Sequence, residues 1–359
     1  MEARENWLRT VEYRFPEWIP CVIQCYPGVW KRYREDLEKL YLDHPRTMPG
    51  YRKGAIRDFD RMPAGYREGE KLTDKWGCLR VTLGDGFAGQ PITHPLADWS
   101  ALATYQPPDP LTGTLDAIQR GIDAYMQGKD GPPTWDEVEA TIREQKRQGA
   151  LVMGDGEKLF DRLYFLRGFE NLMIDFATEP PELPKLFAMV EEYELKLVHK
   201  YLSLGVDVIS FHTDFATQEA LMISPRSFRK WLKPLFAHLF KPCRDAGVHV
   251  FLSSDGRTLD IVDDLVECGV SVHDPQLRPN TLEGMVKAYK GKLCAWVDLD
   301  QQGFTFMTPQ EIREQVRSVV DAMGAPEGGL MLRAAFADPN TPLRNIAAMA
   351  EAMEEYCFP

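Results

Sequence analysis

Acidic residues and histidines follow several short apolar runs in the second half of the sequence, directly after each run ends. The polar residues at these ends are His212 and Asp214, Asp255, His273 and Asp274, Asp298 and Asp300, and Arg333. A single aspartate in such a place is commonly a turn former or a helix cap. Four runs that end in carboxylates or imidazoles instead predict one shared site for acid–base or metal chemistry.

The apolar runs indicate β-strands that alternate with helices. A glycine precedes each run, at Gly205, Gly247, Gly269, Gly291 and Gly329. Glycine adopts the left-handed backbone that closes a helix, and the runs are too short for buried helices. Strands buried on both faces and alternating with helices predict a parallel sheet, with the functional residues at its carboxyl end.

The first half of the chain is more polar and gives fewer signals. Residues 19–23 and 149–153 are apolar and predict two further strands. Residues 43–148 lie between them and are rich in glycine and proline, and structureless loops of that length are uncommon inside a compact domain. We therefore expect residues 1–359 to form a single barrel domain in which about 43–148 are an insertion, or cap, that walls the site.

Composition excludes several classes of function. The 359 residues include 42 Lys and Arg against 54 Asp and Glu, which gives a formal charge of −12 without a basic patch. Such a chain is expected to bind neither nucleic acid nor an anionic membrane. No run has the length of a membrane span or the pattern of a signal peptide, and the seven cysteines are spread along the chain. We expect a cytoplasmic protein with reduced thiols.

Motifs along nearly the whole chain resemble those of the uroporphyrinogen decarboxylase superfamily, and specifically its corrinoid-dependent methyltransferase-like branch. Their order and spacing carry the resemblance. The motifs are Asp74-Lys75-Trp76-Gly77-Cys78, Gly89-Gln90, His94-Pro95-Leu96-Ala97-Asp98-Trp99, Gly168-Phe169-Glu170-Asn171, Asp214-Phe215-Ala216-Thr217-Gln218, Ile223-Ser224-Pro225, Asp255-Gly256, Pro275-Gln276, Pro339-Asn340-Thr341-Pro342, Asn345-Ile346 and Ala348-Met349. The resemblance implies a distorted (β/α)8 barrel of the α/β class, in agreement with the strand pattern.

Two activities occur on this fold, and the resemblance helps to separate them. The decarboxylase has an arginine-rich segment after its first strand that holds the substrate carboxylates. The corresponding residues 24–30 here read Gln-Cys-Tyr-Pro-Gly-Val-Trp and contain no arginine. A polycarboxylated tetrapyrrole would therefore lack its bidentate clamps. The resemblance favours the methyltransferase branch, with the decarboxylase as the alternative.

Methyltransferases of this branch commonly bind zinc through a His-x-Cys pair and a late cysteine, and the zinc acts as a Lewis acid on the atom that releases the methyl group. Here Ser253 and Asp255 stand in place of the pair, and Ala334-Ala335 occupy the late region. A thiolate site is excluded at these positions. If zinc binds, we expect His212, Asp255 and His273 as its ligands.

The remaining site residues follow from the same resemblance and from the strand ends. Asp214 and Asp298, together with Asp255, are the predicted catalytic groups, which orient ligands or protonate the leaving group. Arg333 is predicted to bind substrate. Tyr26 and Trp30 can stack against an aromatic or quaternary substrate, with core packing as the alternative role of Trp30.

The predicted reaction is removal of a methyl group from a small methoxylated or methylamine-type compound and its transfer to a corrinoid. The Asp-x-His-x-x-Gly segment that binds cobalamin in the family's partner does not occur in this chain. We therefore expect the cobalamin to be carried on a separate protein. A third alternative is a non-catalytic binding member of the superfamily. The absence of the family's histidine and cysteine zinc ligands from this chain is what that alternative predicts.

Overall fold

The computed structural model describes residues 1–113, 115 and 132–358. Its α-helices of four or more residues, in chain order, are α1 (Ala3–Val11), α2 (Pro27–Asp43), α3 (Trp135–Arg147), α4 (Leu159–Arg167), α5 (Phe169–Thr178), α6 (Leu183–Leu204), α7 (Lys233–Asp245), α8 (Val262–Cys268), α9 (Leu277–Asn280), α10 (Leu282–Tyr289), α11 (Pro309–Met323) and α12 (Leu343–Cys357). Its strands are β1 (Cys21–Cys25), β2 (Lys71–Thr73), β3 (Leu79–Val81), β4 (Gln90–Pro91), β5 (Met153–Lys158), β6 (Val208–His212), β7 (His249–Ser253), β8 (Val272–His273), β9 (Cys294–Asp298) and β10 (Leu330–Phe336). In these ranges no helix has both the length and the apolar character needed to span a bilayer.

The chain divides into two compact units, which we describe one at a time. The described part of unit 1 comprises residues 1–63 and 274–358. Its strands are all parallel, with β10 between β1 and β9. Helix α11 begins with the capping box of Thr308 and Glu311, in which each side chain hydrogen-bonds the other residue's backbone N–H, and buries Ile312, Val316 and Val319.

The described part of unit 2 comprises residues 64–113, 115 and 132–273. Strands β5, β6, β7 and β8 are parallel and pair in chain order. Strands β2, β3 and β4 form a separate antiparallel sheet. Helix α6 matches the apolar periodicity of residues 183–204 and ends at Gly205 in the left-handed conformation.

The prediction of a strand at residues 149–153 is wrong. The structure has β5 at Met153–Lys158, where the sequence is Met-Gly-Asp-Gly-Glu-Lys. Glycines serve here because neighbouring side chains fill the space. A Cβ on Gly154 would lie 2.5 Å from Cγ of Tyr201, and one on Gly156 would lie 2.7 Å from Cδ1 of Phe211. A polar strand of this kind has no apolar alternation from which it could be predicted.

The segment predicted as a cap, about 43–148, does not fall into one unit. Its residues up to Pro63 belong to unit 1, and those from Ala64 to 113 belong to unit 2. The latter contain the antiparallel sheet of β2, β3 and β4, and α3 starts at Trp135 with a capping box at Thr134. The remainder of the predicted cap includes residues 114 and 116–131, which lie outside the described residues.

Candidate active site

Three carboxylates of unit 2 are joined by backbone hydrogen bonds at the carboxyl ends of β6 and β7. The backbone N–H of Asp214 donates to Oδ2 of Asp161 at 2.7 Å. The backbone N–H of Asp255 donates to Oδ1 of Asp214 at 3.1 Å. Asp161 on α4 is buried, Asp214 is half-buried and Asp255 is exposed. This set, which we call the carboxylate cluster, therefore extends from the interior to the surface.

The electrostatics of the carboxylate cluster favour the protonated form of Asp214. Burial, together with the nearby charges of Asp161 and Asp255, raises the pKa of Asp214 to about 6 against the opposing effect of Lys158. The hydroxyl of Tyr164 donates to Oδ1 of Asp161. Burial, followed by the charge of Asp161, raises the pKa of Tyr164, so the phenol remains a donor. A carboxyl group with a pKa close to neutrality is suited to general-acid chemistry.

Two contacts hold the segments of the carboxylate cluster together, one a hydrogen bond and the other a close approach of two loops. The hydroxyl of Thr213 accepts a hydrogen bond from the backbone N–H of Phe160 at 2.8 Å, which ties the start of α4 to the end of β6. Gly256 has φ +88°, and a Cβ there would lie 2.5 Å from the carbonyl oxygen of Ala216. The Asp255-Gly256 motif therefore allows the loop after β7 to pass directly against the loop after β6.

A second set of polar side chains in unit 2 lies on the neighbouring strands β5 and β6. Oδ1 of Asp155 accepts a hydrogen bond from the hydroxyl of Ser210. The same oxygen lies 3.6 Å from Nε2 of His212, an ion-pair separation that is beyond hydrogen-bond length. Sequence reasoning selected His212 and missed Asp155 and Ser210. Because the sequence predicts this strand at residues 149–153 and not at Met153–Lys158, it does not show that Asp155 lies on a strand.

The predicted zinc ligands do not form a metal site in the structure. Among residues 1–113, 115 and 132–358, no three His, Cys, Asp or Glu side chains form a group that could hold a metal ion. His212 is half-buried and Asp255 is exposed, whereas His273 is completely buried, and burial lowers its pKa to about 3. The described residues therefore do not fit the zinc ion that the resemblance implied, although His212 and Asp255 belong to the two polar sets described above.

Asp298 at the end of β9 is the register partner of Arg333 in unit 1, but Arg333 lies in the middle of β10 and not after its end, because the strand continues to Phe336. Asp298 is 3% exposed, and burial raises its pKa to about 6 against the opposing charge of Arg333. Its Oδ2 accepts from the side-chain amide of Gln301 at 3.2 Å, whereas its Oδ1 is buried without a hydrogen-bond partner among the described residues. Arg333 pairs with Asp274 at 3.1 Å. Unit 1 thus holds a second buried acid beside a guanidinium.

The two predicted aromatic substrate contacts differ in environment. Trp30 is completely buried. Its ring lies between those of Tyr51 and Phe59, with centroid separations of 5.1 Å and 6.2 Å, which is the packing role that the sequence also allowed. Tyr26 is half-buried immediately before α2, and its backbone N–H donates to the carbonyl of Phe336 at 2.9 Å.

The Asp74–Cys78 motif forms a buried charge network whose role the sequence did not reveal. Oδ2 of Asp74 pairs with Arg162 at 2.9 Å and with Arg80 at 3.1 Å. Burial opposes ionisation of Asp74, but the two guanidiniums outweigh it and hold its pKa below the usual range. Arg162 also pairs with Glu157 at 3.0 Å. Because Arg162 follows Asp161 on α4, the network fixes the helix that carries the innermost member of the carboxylate cluster.

Both units are built from parallel strands with helices between them, and acid–base residues follow several of these strands, which is the arrangement of an α/β protein. The sequence model of the uroporphyrinogen decarboxylase (URO-D) family matches residues 158–356. The chain belongs to this family, and the family recognised from the motifs is confirmed. No curated protein matches the sequence.

Among solved structures, a methyltransferase from Methanosarcina mazei is similar over 98% of both chains, with a TM-score of 0.60 and 14% sequence identity. This similarity confirms the predicted fold class, the α/β barrel. Weaker similarities include a D-psicose 3-epimerase (TM-score 0.38, 10% identity, 62% of this chain and 84% of that chain). A dihydropteroate synthase from Burkholderia cenocepacia has a TM-score of 0.30 and 14% identity over 51% of this chain and 57% of that chain.

Proposed function

We propose that this protein is a methyltransferase that removes a methyl group from a small methoxylated or methylamine-type compound and passes it to a corrinoid carried on a separate protein. Membership of the URO-D family and a fold shared with a methyltransferase support the proposal at a coarse level. The observation that carries it further is the carboxylate cluster, in which burial raises the pKa of Asp214 to about 6.

The chemistry requires a proton donor at the leaving atom. Cob(I)alamin, as the co-substrate, forms a bond to the methyl carbon while the bond from that carbon to the oxygen or nitrogen breaks. The electron pair of the broken bond remains on the heteroatom. We assign the carboxylic acid of Asp214 to donate its proton there, so that the demethylated compound leaves as a neutral alcohol, phenol or amine. General acids of this kind contribute about 10²–10⁴-fold to rates.

Proton donation takes the place of Lewis-acid activation in this proposal. The resemblance implied zinc for that purpose, and the described residues of this chain do not fit it. Asp161 and Asp255 have supporting roles, because their charges keep the proton on Asp214 up to a higher pH.

The decarboxylase alternative receives no support from the buried arginines of unit 2. Arg80 is 4% exposed and Arg162 is 1% exposed, and both guanidiniums are paired with Asp74. A polycarboxylated substrate would have to break these pairs, which is costly because it would leave buried charges uncompensated.

The test is methylation of free cob(I)alamin by the purified protein with a panel of methoxylated and methylamine compounds, followed by the absorbance of methylcobalamin. We expect methylation with at least one compound and a loss of about 10²-fold in Asp214→Asn. Asp245→Asn is the matched control, since Asp245 pairs with Lys241 on the exposed face of α7. No methylation by any compound would refute the proposal and favour the non-catalytic alternative. Full activity of Asp214→Asn would show that Asp214 is not the proton donor of the reaction.

A further inference from the structure

His212 and Asp155 form a pair that the proposed acid chemistry does not use. Ser210 and His212 are two residues apart on β6 and therefore point to the same face of the strand. Asp155 is the register partner of Ser210 on β5. One oxygen of Asp155 thus accepts from Ser210 and lies 3.6 Å from His212, so the ring faces a carboxylate that is itself held in place.

The position of Asp155 beside the His212 ring determines which ring nitrogen can accept a hydrogen bond from a bound compound. The negative charge of Asp155, 3.6 Å from Nε2, favours the imidazole tautomer of His212 that carries its hydrogen on Nε2, because a carboxylate attracts an N–H and repels a nitrogen lone pair. Nδ1 is then the acceptor. In the part of the chain that the structure describes, no group donates to Nδ1, and the side chain of His212 is 39% exposed. The ring of Phe251 lies edge-on at 6.3 Å and limits rotation of the imidazole.

We propose that Nδ1 of His212, oriented by Asp155, accepts a hydrogen bond from an O–H or N–H group of the substrate. The substrate is therefore a methylated compound that also carries a free hydrogen-bond donor. Asp155 is a positioning residue, and His212 is a specificity-determining residue. That the substrate is methylated rests on the proposed function, whereas the recognition of its O–H or N–H group rests on the geometry of β5 and β6.

The proximity of His212 and Asp214 makes this assignment chemically consistent. Asp214 follows His212 by two residues. Asp214 donates a proton in the proposed reaction, and His212 accepts a hydrogen bond. A small compound with a methylated heteroatom and a separate O–H or N–H group matches this combination of one donor and one acceptor. A fully methylated compound would leave the acceptor without a partner.

The test compares the binding of two probes, 2-methoxyphenol and 1,2-dimethoxybenzene, which differ only in that one O–H is methylated. Isothermal titration with the full chain and no corrinoid gives both dissociation constants. We expect the phenol to bind about three- to tenfold more tightly to the wild type, as one hydrogen bond provides. The ratio should fall to about one in His212→Phe and remain partly intact in His212→Gln, whose amide oxygen also accepts.

A second His–carboxylate pair of unit 2 supplies the matched control. Nδ1 of His238 lies 3.1 Å from Glu191 on the helices, away from the strand ends. Asp155→Asn should reduce the preference for the phenol, whereas Glu191→Gln should leave it unchanged. Equal affinities in the wild type, binding of neither probe, or a preference that survives in His212→Phe overturns the inference. A protein that shows the preference but never methylates cob(I)alamin loses the proposed function and keeps this inference.

Discussion

The backbone N–H of Asp255 donates to Oδ1 of Asp214 at 3.1 Å, so the loop after β7 is hydrogen-bonded to the carboxylate that follows β6. The contact has two opposing effects on Asp214. The hydrogen bond favours the ionised carboxylate, while the negative charge of the Asp255 side chain disfavours it. Burial and the charges prevail, since the pKa of Asp214 is raised to about 6. The position of this loop therefore tunes the candidate acid.

The pH dependence of methyl transfer should report this acid. For a methoxylated substrate, the rate should be highest when Asp214 is protonated and should fall about tenfold per pH unit above pH about 6. In Asp214→Asn the rate should be low, and this limb of the profile should disappear. Measurement of single-turnover rates between pH 5 and 8 (roughly the range around the Asp214 pKa) checks the prediction. A limb that persists in the variant would assign the proton to another group.

Gly256→Ala should destabilise the protein and disturb the carboxylate cluster. The residue has φ +88°, and the new Cβ would lie 2.5 Å from the carbonyl of Ala216. Gly247→Ala is the matched control, because Gly247 has φ +71° with nothing within 4 Å of a Cβ. We expect the control to lose about 1 kcal/mol and Gly256→Ala to lose at least about twice as much in urea unfolding. Equal losses would show that the close approach is relaxed in solution.

Removal of Arg162 should be far more costly than removal of an exposed arginine. Arg162→Met leaves the buried carboxylates of Asp74 and Glu157 without a shared partner, so we expect a loss of about 3–5 kcal/mol in the free energy of unfolding. Arg229→Met is the control, since Arg229 is half-exposed and Asp264 retains its contact with Lys233. The control should lose at most about 1 kcal/mol. Similar losses for both variants would contradict the buried network.

The stability of the protein should depend on the protonation of Asp298. Burial raises the pKa of Asp298 from 3.8 to about 6, so the folded state holds this proton more tightly than the unfolded state. Its contribution to stability is therefore complete below pH ~4 and is lost as the pH rises through about 6. A shift of this size corresponds to about 3 kcal/mol, so we expect Asp298→Asn to gain about 3 kcal/mol in stability relative to the wild type as the pH rises from ~4 to ~8. A difference that stays constant with pH in urea unfolding would argue against a buried acid.

Strand positions that carry apolar residues could be predicted closely from the sequence. The runs before His212, Ser253 and Asp298 became β6, β7 and β9, because strands buried on both faces contain little but apolar residues. The helix starting at Thr308 was predictable from its capping box. These features depend on neighbours within a few residues along the chain.

The parts of the candidate site that depend on distant neighbours could not be predicted. Asp155 lies on a strand whose glycines are covered by the side chains of α6 and β6, so its sequence shows no strand pattern. Asp161 resembles any charged residue of a helix, and only the fold shows that it is buried beneath Asp214. His273 follows an apolar run just as His212 does, yet it is completely buried. Sequence position alone does not distinguish these two environments.

Helix α4 places Asp161 and Arg162 side by side, one in the carboxylate cluster and the other in the buried charge network. Anyone who wished to transplant the acid of this protein to another scaffold could not move the aspartates alone. The helix would have to be moved together with the Asp74 segment that pairs with it, because Arg162 is adjacent to Asp161 on the same helix. In this unit, the candidate acid and the buried charge network therefore depend on the same helix.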